Sequence, residues 1–357
     1  MTENRVLVAM SGGVDSAVTA LLLQQQGYDC MGATMKLTPP AATLEKITKS
    51  CCNPEEIELA RQVAELLGIS HAVIDASDAF CRHVVDYFVK TYLEGGTPNP
   101  CVECNRTMKF GVLLEKANEF SCKKIATGHY ARVRKDANGR FLLSTATDPS
   151  KDQTYVLWSL TQDQLARVLF PLGDLTKKEV REIAASHGFS NAQKQDSQDI
   201  CFVPDGDYAA FIERYTAKKY PCGEFVDLNG KILGQHTGMI RYTIGQRKGL
   251  GIAFGAPTYV VNKDADTNRV TLGANDDLFS KTLTASRINL ITTDRLDAPI
   301  RVQAKVRYRA TPAWATVEQT DDDRLVLHFD EPQRAISKGQ SVVLYDGDTV
   351  VGGGIID

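Results

Sequence analysis

Along the first two hundred residues, short apolar runs alternate with stretches whose apolar positions recur every three or four residues. The run Arg5-Val6-Leu7-Val8-Ala9-Met10 reads as a buried strand. Behind it, positions 17–26 put Val18, Leu21 and Leu22 on one helical face, and Gly27 stops the helix. Positions 29–36 read as a second strand. Positions 54–67 read as a helix, with Asn53 as N-cap, Pro54 in first place, Glu56 in the first turn and Gly68 past the end. Its stripe is Ile57, Ala60, Val63, Ala64 and Leu67. A strand at 71–75, helices at 78–93 and 109–120, and a strand at 124–127 continue the rhythm. Such alternation predicts an α/β doubly wound parallel sheet, with ligands at the carboxyl ends of its strands. Met35 and Gly128-His129 fall at such ends, Met35 placed to pack against a flat apolar ligand face.

Near residue 204 the pattern changes. Positions 207–220 read as a helix, after which helical periodicity all but vanishes. Asn229-Gly230 marks a hairpin turn, and 237–251 with 258–273 complete a small, mostly β module. From 282 onward come short strands and turns, including 324–330, 341–345 and 350–356, the signature of a closed barrel. The expected domains are 1–203 (α/β, catalytic), 204–276 (central, small, mostly β) and 277–357 (C-terminal β-barrel).

The chain has 357 residues, 43% hydrophobic and 24% charged, as expected of an ordinary soluble protein. No run approaches the roughly 18 apolar residues of a membrane span, so no membrane partner is expected. The first residues run straight into a strand, which predicts no targeting peptide and a cytoplasmic location. Nine cysteines, an odd number, argue for reduced thiols with chemical roles rather than a disulfide scaffold. A net charge of −3 offers no global attraction to nucleic acid, so RNA binding would need local basic patches.

Candidate chemistry begins at Ser11-Gly12-Gly13-Val14-Asp15-Ser16, between the first strand and its helix. Backbone N–H groups in such a turn, backed by a helix N-terminus, cradle phosphate oxygens. Neither the Walker A string nor G-x-G-x-x-G is present. The string resembles the signature of ATP pyrophosphatases, which split ATP into AMP and pyrophosphate, and Asp15 is the expected holder of Mg²⁺ beside ATP. Segment 95–105 reads as a loop bearing the pair Cys101 and Cys104, open to zinc, redox or reactive-thiol readings. Zinc lacks a second close pair, and the redox reading lacks the strand-to-helix context. Cys51-Cys52 precede a helix cap and read as bland. Cys201, after Asp196-Ser197-Gln198-Asp199-Ile200, would alone pass for a small buried residue.

Further strings occur in order: T-P-N-P-C-V-E-C-N at 97–105 with K-F at 109–110, T-G-H-Y-A at 127–131, and K-D-Q-T-Y at 151–155. Then come S-Q-D-I-C-F at 197–202, Y-T-I-G-Q-R-K-G-L-G at 242–251, F-D-E-P-Q-R-A at 329–335, and G-Q at 339–340. From residue 5 to the end the chain resembles the bacterial tRNA-specific 2-thiouridylases. The resemblance implies ATP-dependent replacement of the C2 oxygen of a tRNA wobble uridine by sulfur. It places the nucleotide on Ala9, Met10, Ser11, Gly12, Gly13, Val14, Asp15, Ser16, Met35 and Gly128. Cys201 would carry a persulfide, and Cys104 would be the second thiol, pairing with it as a disulfide or assisting transfer. Both thiols are expected in surroundings that lower their pKa. Asn99, Pro100 and Cys101 would hold the target base, flipped from its stack. His129, Lys151, Asp152, Gln153, Arg307, Tyr308 and Gln340 would touch tRNA. A sulfur-donor protein, a cysteine desulfurase or relay carrier, is the implied second partner.

Some members of that family carry aspartate where this chain has Cys101. Three thiolates, Cys101, Cys104 and Cys201, suit an iron–sulfur cluster, but the cluster-free persulfide route is the preferred expectation. Finally, Arg301, Gln303, Lys305, Arg307 and Arg309 alternate with Val302, Ala304, Val306, Tyr308 and Ala310. A strand over 301–310 would align every basic group on one face for phosphate contacts, with no acid within the decapeptide. Arg247-Lys248, in a glycine-bounded turn, is a second basic candidate.

Overall fold

A computed structural model of the chain describes residues 4–37, 54–194, 200–252 and 256–357. Asn53, Cys51-Cys52 and the 196–199 run lie outside the described residues. By its contacts the chain divides into two units. One comprises 1–84, 101–206 and 348–350; the other comprises 85–100, 207–347 and 351–357.

The first unit is built on a five-stranded parallel sheet. Its spatial order is His71–Asp75, Asp29–Lys36, Arg5–Ala9, Lys124–Ala126, Val168–Leu169. The first strand lies central, so Val6, Leu7 and Val8 are buried as their unbroken apolar run requires. Helix Val14–Gln25 packs Val18, Ala20, Leu21 and Leu23 into a core shared with Val63 and Ala64 of helix Pro54–Leu67. Gly27 ends the first helix at φ +83°, a conformation favouring glycine.

Two features depart from the expected pattern. Residues 78–93 do not form one α-helix: Ser77–Phe80 passes through a π-helical Cys81–Val85. A hairpin, Arg132–Lys135 with Phe141–Ser144, was not expected although Asn138-Gly139 signals its turn, with Gly139 at φ +88°. It pairs through Ser144 with Thr349, and Asp348 accepts from Arg132 and Arg134.

The second unit contains helix Asp86–Leu93, which packs Phe88 and Tyr92 against Tyr208 of helix Tyr208–Thr216. Asp207 caps that helix by accepting from Ala210 N–H. A four-stranded sheet comes next, ordered Tyr259–Asp264, Arg269–Gly273, Gly223–Val226, Ile232–His236, around Phe225, Tyr242, Val260 and Leu272. Residues 237–251 are turns and a short Met239–Arg241 3₁₀ turn rather than strands. Six strands then close a barrel: Phe279–Leu290, Arg324–Arg334, Ala313–Asp321, Ile300–Lys305, Ser341–Asp346 and Thr349–Ile356, the last returning to the first. Val302, Ala304, Val317, Leu327 and Leu344 fill it.

Candidate active site

The nucleotide cradle grows from a local necessity. After Ala9 the chain must reverse from strand to helix, and Gly12 supplies a positive φ of +72°. A Cβ there would lie 2.5 Å from the Glu56 carbonyl oxygen. Gly13 caps helix Val14–Gln25 with no side-chain hydrogen bond, so the first-turn N–H groups remain available to an anion. Ser16 Oγ donates to Gly13 O at 2.9 Å and accepts from Ser11 N–H at 3.2 Å, closing the turn. Asn191 Nδ2 donates to Gly12 O at 3.0 Å, bracing it from behind. Gly128 abuts this turn: a Cβ would sit 2.9 Å from the Asp15 backbone.

A pocket of about 230 Å³ opens beside the cradle. Ala9, Met10, Ser11, Asp15, Ser16, Met35 and Gly128 line it, together with Ala33, Leu37 and Leu113. The structure thus gathers the residues expected to hold ATP, with Gly12, Gly13 and Val14 in the adjoining turn. Met35, Leu37 and Leu113 form an apolar slot suited to a purine face.

Lys109, Thr127, His129 and Gln153 complete the walls. His129, expected to touch tRNA, is buried in this pocket and stacks near Phe110 and Phe170. Burial and the neighbouring Lys109 ammonium hold its pKa well below the usual imidazole value. Lys109 Nζ lies 3.4 Å from Nε2 and can only donate, so Nε2 accepts. The ring proton therefore sits on Nδ1 and is shared with Thr127 Oγ1 at 2.7 Å. Gln153 Oε1 accepts from Tyr130 N–H, and Asp152 accepts from Ala146 N–H and Thr154 Oγ1. These two residues hold the 128–154 backbone together; Lys151 beside them is half-buried.

Asp15 is already engaged. Both its carboxylate oxygens lie 2.8 Å from Lys177 Nζ, and Tyr130 OH donates to Oδ1 at 2.8 Å. Lys177 is buried at the start of helix Lys177–Ser186, which Thr176 and Glu179 close with a capping box. Among the described residues no three His, Cys, Asp or Glu side chains are grouped to hold a metal ion. Cys101, Cys104 and Cys201 therefore do not stand as a preassembled three-thiolate set.

The Cys101–Cys104 pair corrects the loop reading. It lies on a helix, Pro100–Cys104, that runs on through a π-helical Asn105–Val112 into Leu113–Glu119. Pro100 takes the first helical position, where its missing N–H and fixed φ cost nothing. Cys101 is exposed, and Cys104 and Cys201 are half-buried. Phe202, next to Cys201, packs edge-on against Phe80, whose short helix Ser77–Phe80 meets the π-helical segment after Cys104. By contrast, burial pushes the Cys30 thiol up to about 11 and raises that of Cys122, marking both as inert.

The basic stripe is also corrected. Only Ile300–Lys305 is strand; the chain then turns. The acid missing from the decapeptide arrives from the barrel: Arg301 pairs with Asp330 and lies over the Trp314 ring. Arg307 donates to Ala335 O. Tyr308 and Arg309 are exposed, as are Arg247 and Lys248. Gln340 Nε2 donates to Thr97 O at 2.7 Å, two residues before Asn99, which is half-buried beside the buried Pro100. Sequence reasoning quoted Lys109 and Tyr130 only inside motif strings and missed Lys177 and Asn191; the Thr176-x-x-Glu179 capping box could have marked the helix start that carries Lys177.

Residues 4–205 match the family model described as the tRNA methyl transferase HUP domain. Residues 209–274 match its PRC-barrel domain, and 280–356 an aminomethyltransferase β-barrel domain. The tRNA-specific 2-thiouridylase MnmA of Clostridioides difficile is 50% identical, covering 99% of this chain and 98% of its own. That of Acetivibrio thermocellus is 49% identical over the full length of both. A solved 4-thiouridine synthetase–RNA complex with bound ATP is a remote likeness, at 18% identity, 56% and 45% coverage and a TM-score of 0.39. On its near-complete match to these relatives, the chain belongs to the tRNA-specific 2-thiouridylase family.

Proposed function

We propose that this protein is an ATP-dependent tRNA-uridine 2-sulfurtransferase. The observation that carries the reading is the uncapped helix N-terminus at Gly13, facing a pocket with an apolar slot at Met35. An adenine in the slot would aim its phosphates at the donors of the glycine turn. A pyrimidine carbonyl oxygen is a very poor leaving group, so it must first be activated. The C2 oxygen of the flipped uridine attacks the α-phosphorus, and the bond to pyrophosphate breaks. The donors of the turn stabilise the charge that builds on the leaving pyrophosphate.

Sulfur arrives on Cys201 as a persulfide loaded by a donor protein. Its terminal sulfur reaches C2 either directly or as hydrosulfide released when Cys104 attacks the Cys201 sulfur. AMP departs with the original oxygen. In the direct route Cys104 then attacks Cys201 Sγ and breaks its bond to the sulfur now on C2, so both routes leave a Cys104–Cys201 disulfide, which two equivalents of an external thiol reduce before the next turnover. Asn99, Pro100 and Cys101 hold the base. Lys151, Arg307, Tyr308 and the exposed Arg247-Lys248 meet the tRNA, while His129, Asp152 and Gln153 support the pocket behind it.

Replacing Cys104 or Cys201 by serine should abolish 2-thiouridine formation, read by mass spectrometry of tRNA nucleosides, while ATP binding persists. Normal thiolation in either variant would overturn the sulfur assignment. Cys101→Ser should be milder; an equally inactive enzyme would favour the cluster instead.

A further inference from the structure

The segment that leads to Asn99-Pro100 is fixed by an unexpected set of groups. Helix Asp86–Leu93 ends in a Schellman closure: Gly95 N–H donates to Tyr92 O and Gly96 N–H to Thr91 O. Gly95 takes φ +79°, and a Cβ on Gly96 would meet Thr91 Cγ2 at 2.7 Å. The next three polar groups are each clamped. Gly96 O accepts from Lys263 Nζ at 3.1 Å, Thr97 N–H donates to Lys338 O at 2.7 Å, and Thr97 O accepts from Gln340 at 2.7 Å. Lys263 stands on strand Tyr259–Asp264 and is only 8% exposed. It pairs with no carboxylate among the described residues. Its second neighbour is the Tyr92 ring, 5.7 Å away.

A buried ammonium without an acid is costly, and here its directional bond goes to the Gly96 carbonyl, immediately before Thr97-Pro98-Asn99 completes the approach to the base. We infer that Lys263 is a positioning residue for thiolation: with Gln340 it sets the backbone from which Asn99 and Pro100 meet the target base. Burial lowers its pKa to about 8, so near pH 7 the charged form makes a charge-assisted bond. Gln340 thereby acts on the loop, rather than on tRNA alone. The inference rests on the reading of Asn99-Pro100 as the base-holding segment.

The test uses the full-length enzyme with tRNA, ATP and a persulfide source. Lys263→Met keeps the methylene packing and removes the donor. A misplaced reacting group of about 1 Å costs on the order of a hundredfold. Lys263→Met should therefore lower kcat by roughly ten- to a hundredfold, with KM for tRNA within about twofold and ATP affinity unchanged. Lys263→Arg, which keeps a charged donor, should recover much of the rate. An unchanged kcat would overturn the inference, whether KM rises or the protein only melts earlier. If Lys263→Met does not fold, Gln340→Leu carries the same test: a fall in kcat alone supports it, a rise in KM alone sinks it. Asn99→Ala, assayed alongside, separates the two readings. Normal turnover there removes the base-holding assignment, whereas an inactive Asn99→Ala with a normal Lys263→Met removes only the role of Lys263.

Discussion

At His129 one side chain serves two environments. Its ring lines the candidate nucleotide pocket, and its protonation is set by burial and then by Lys109 rather than by solvent. The folded state refuses a proton that the unfolded chain accepts near the ordinary value of about 6.5. Below that pH the unfolded state binds more protons, so stability must fall as pH falls, and this group contributes nothing above it. The expected slope from His129 alone approaches about 1.4 kcal/mol per pH unit below about 6.5. Chemical denaturation of the protein and of His129→Gln at pH 7.5 and 5.5 checks this. The variant should lose less stability on acidification, and identical pH dependence in the two would remove the argument. Lys177 is buried as well, but its Nζ donates to Asp15 and lies over the Tyr130 ring beside the cradle.

Among elements, those set by local periodicity were legible, and those set by distant partners were not. Strands 29–36 and 71–75 and helix Pro54–Leu67 are found where apolar spacing, proline and glycine put them. Segment 95–105 misled because its Gly, Pro and Asn content suits a loop, while Pro100 opens a helix only because residues 101–104 continue it. Lys177 is 162 residues from Asp15, and Asp330 is 29 from Arg301, so neither pairing has a sequence signal. The candidate nucleotide turn was legible as a motif because its residues are compressed into one strand–turn–helix element. That element yields a direct test at Gly12. Alanine there must adopt φ +72° and place its Cβ 2.5 Å from Glu56 O. The left-handed conformation alone costs about 1–2 kcal/mol, and the clash forces the turn away from its phosphate-binding shape. Gly12→Ala should weaken ATP binding at least tenfold by titration calorimetry, and unchanged affinity would show that this turn does not hold the phosphates.

For the molecule as a whole, the net charge of −3 must be reconciled with a polyanionic substrate. Pairing engages part of the basic surface: Arg132 and Arg134 serve Asp348, and Arg301 serves Asp330. Among the cations left outward are Arg247-Lys248, between Gly245 and Gly249, and Arg309 beside Tyr308. Each lysine or arginine that meets a duplex phosphate contributes about 0.9 to the slope of log K against log salt. Replacing Arg247 and Lys248 together by alanine should flatten that slope by about 1.8 and weaken tRNA binding at low salt far more than at high salt. The rate of thiolation at saturating tRNA should stay unchanged, since neither residue lies in the pocket. A slope that does not move would assign the RNA backbone to other cations, and a fall in the saturated rate would place this turn nearer the chemistry than its exposed, glycine-bounded setting implies.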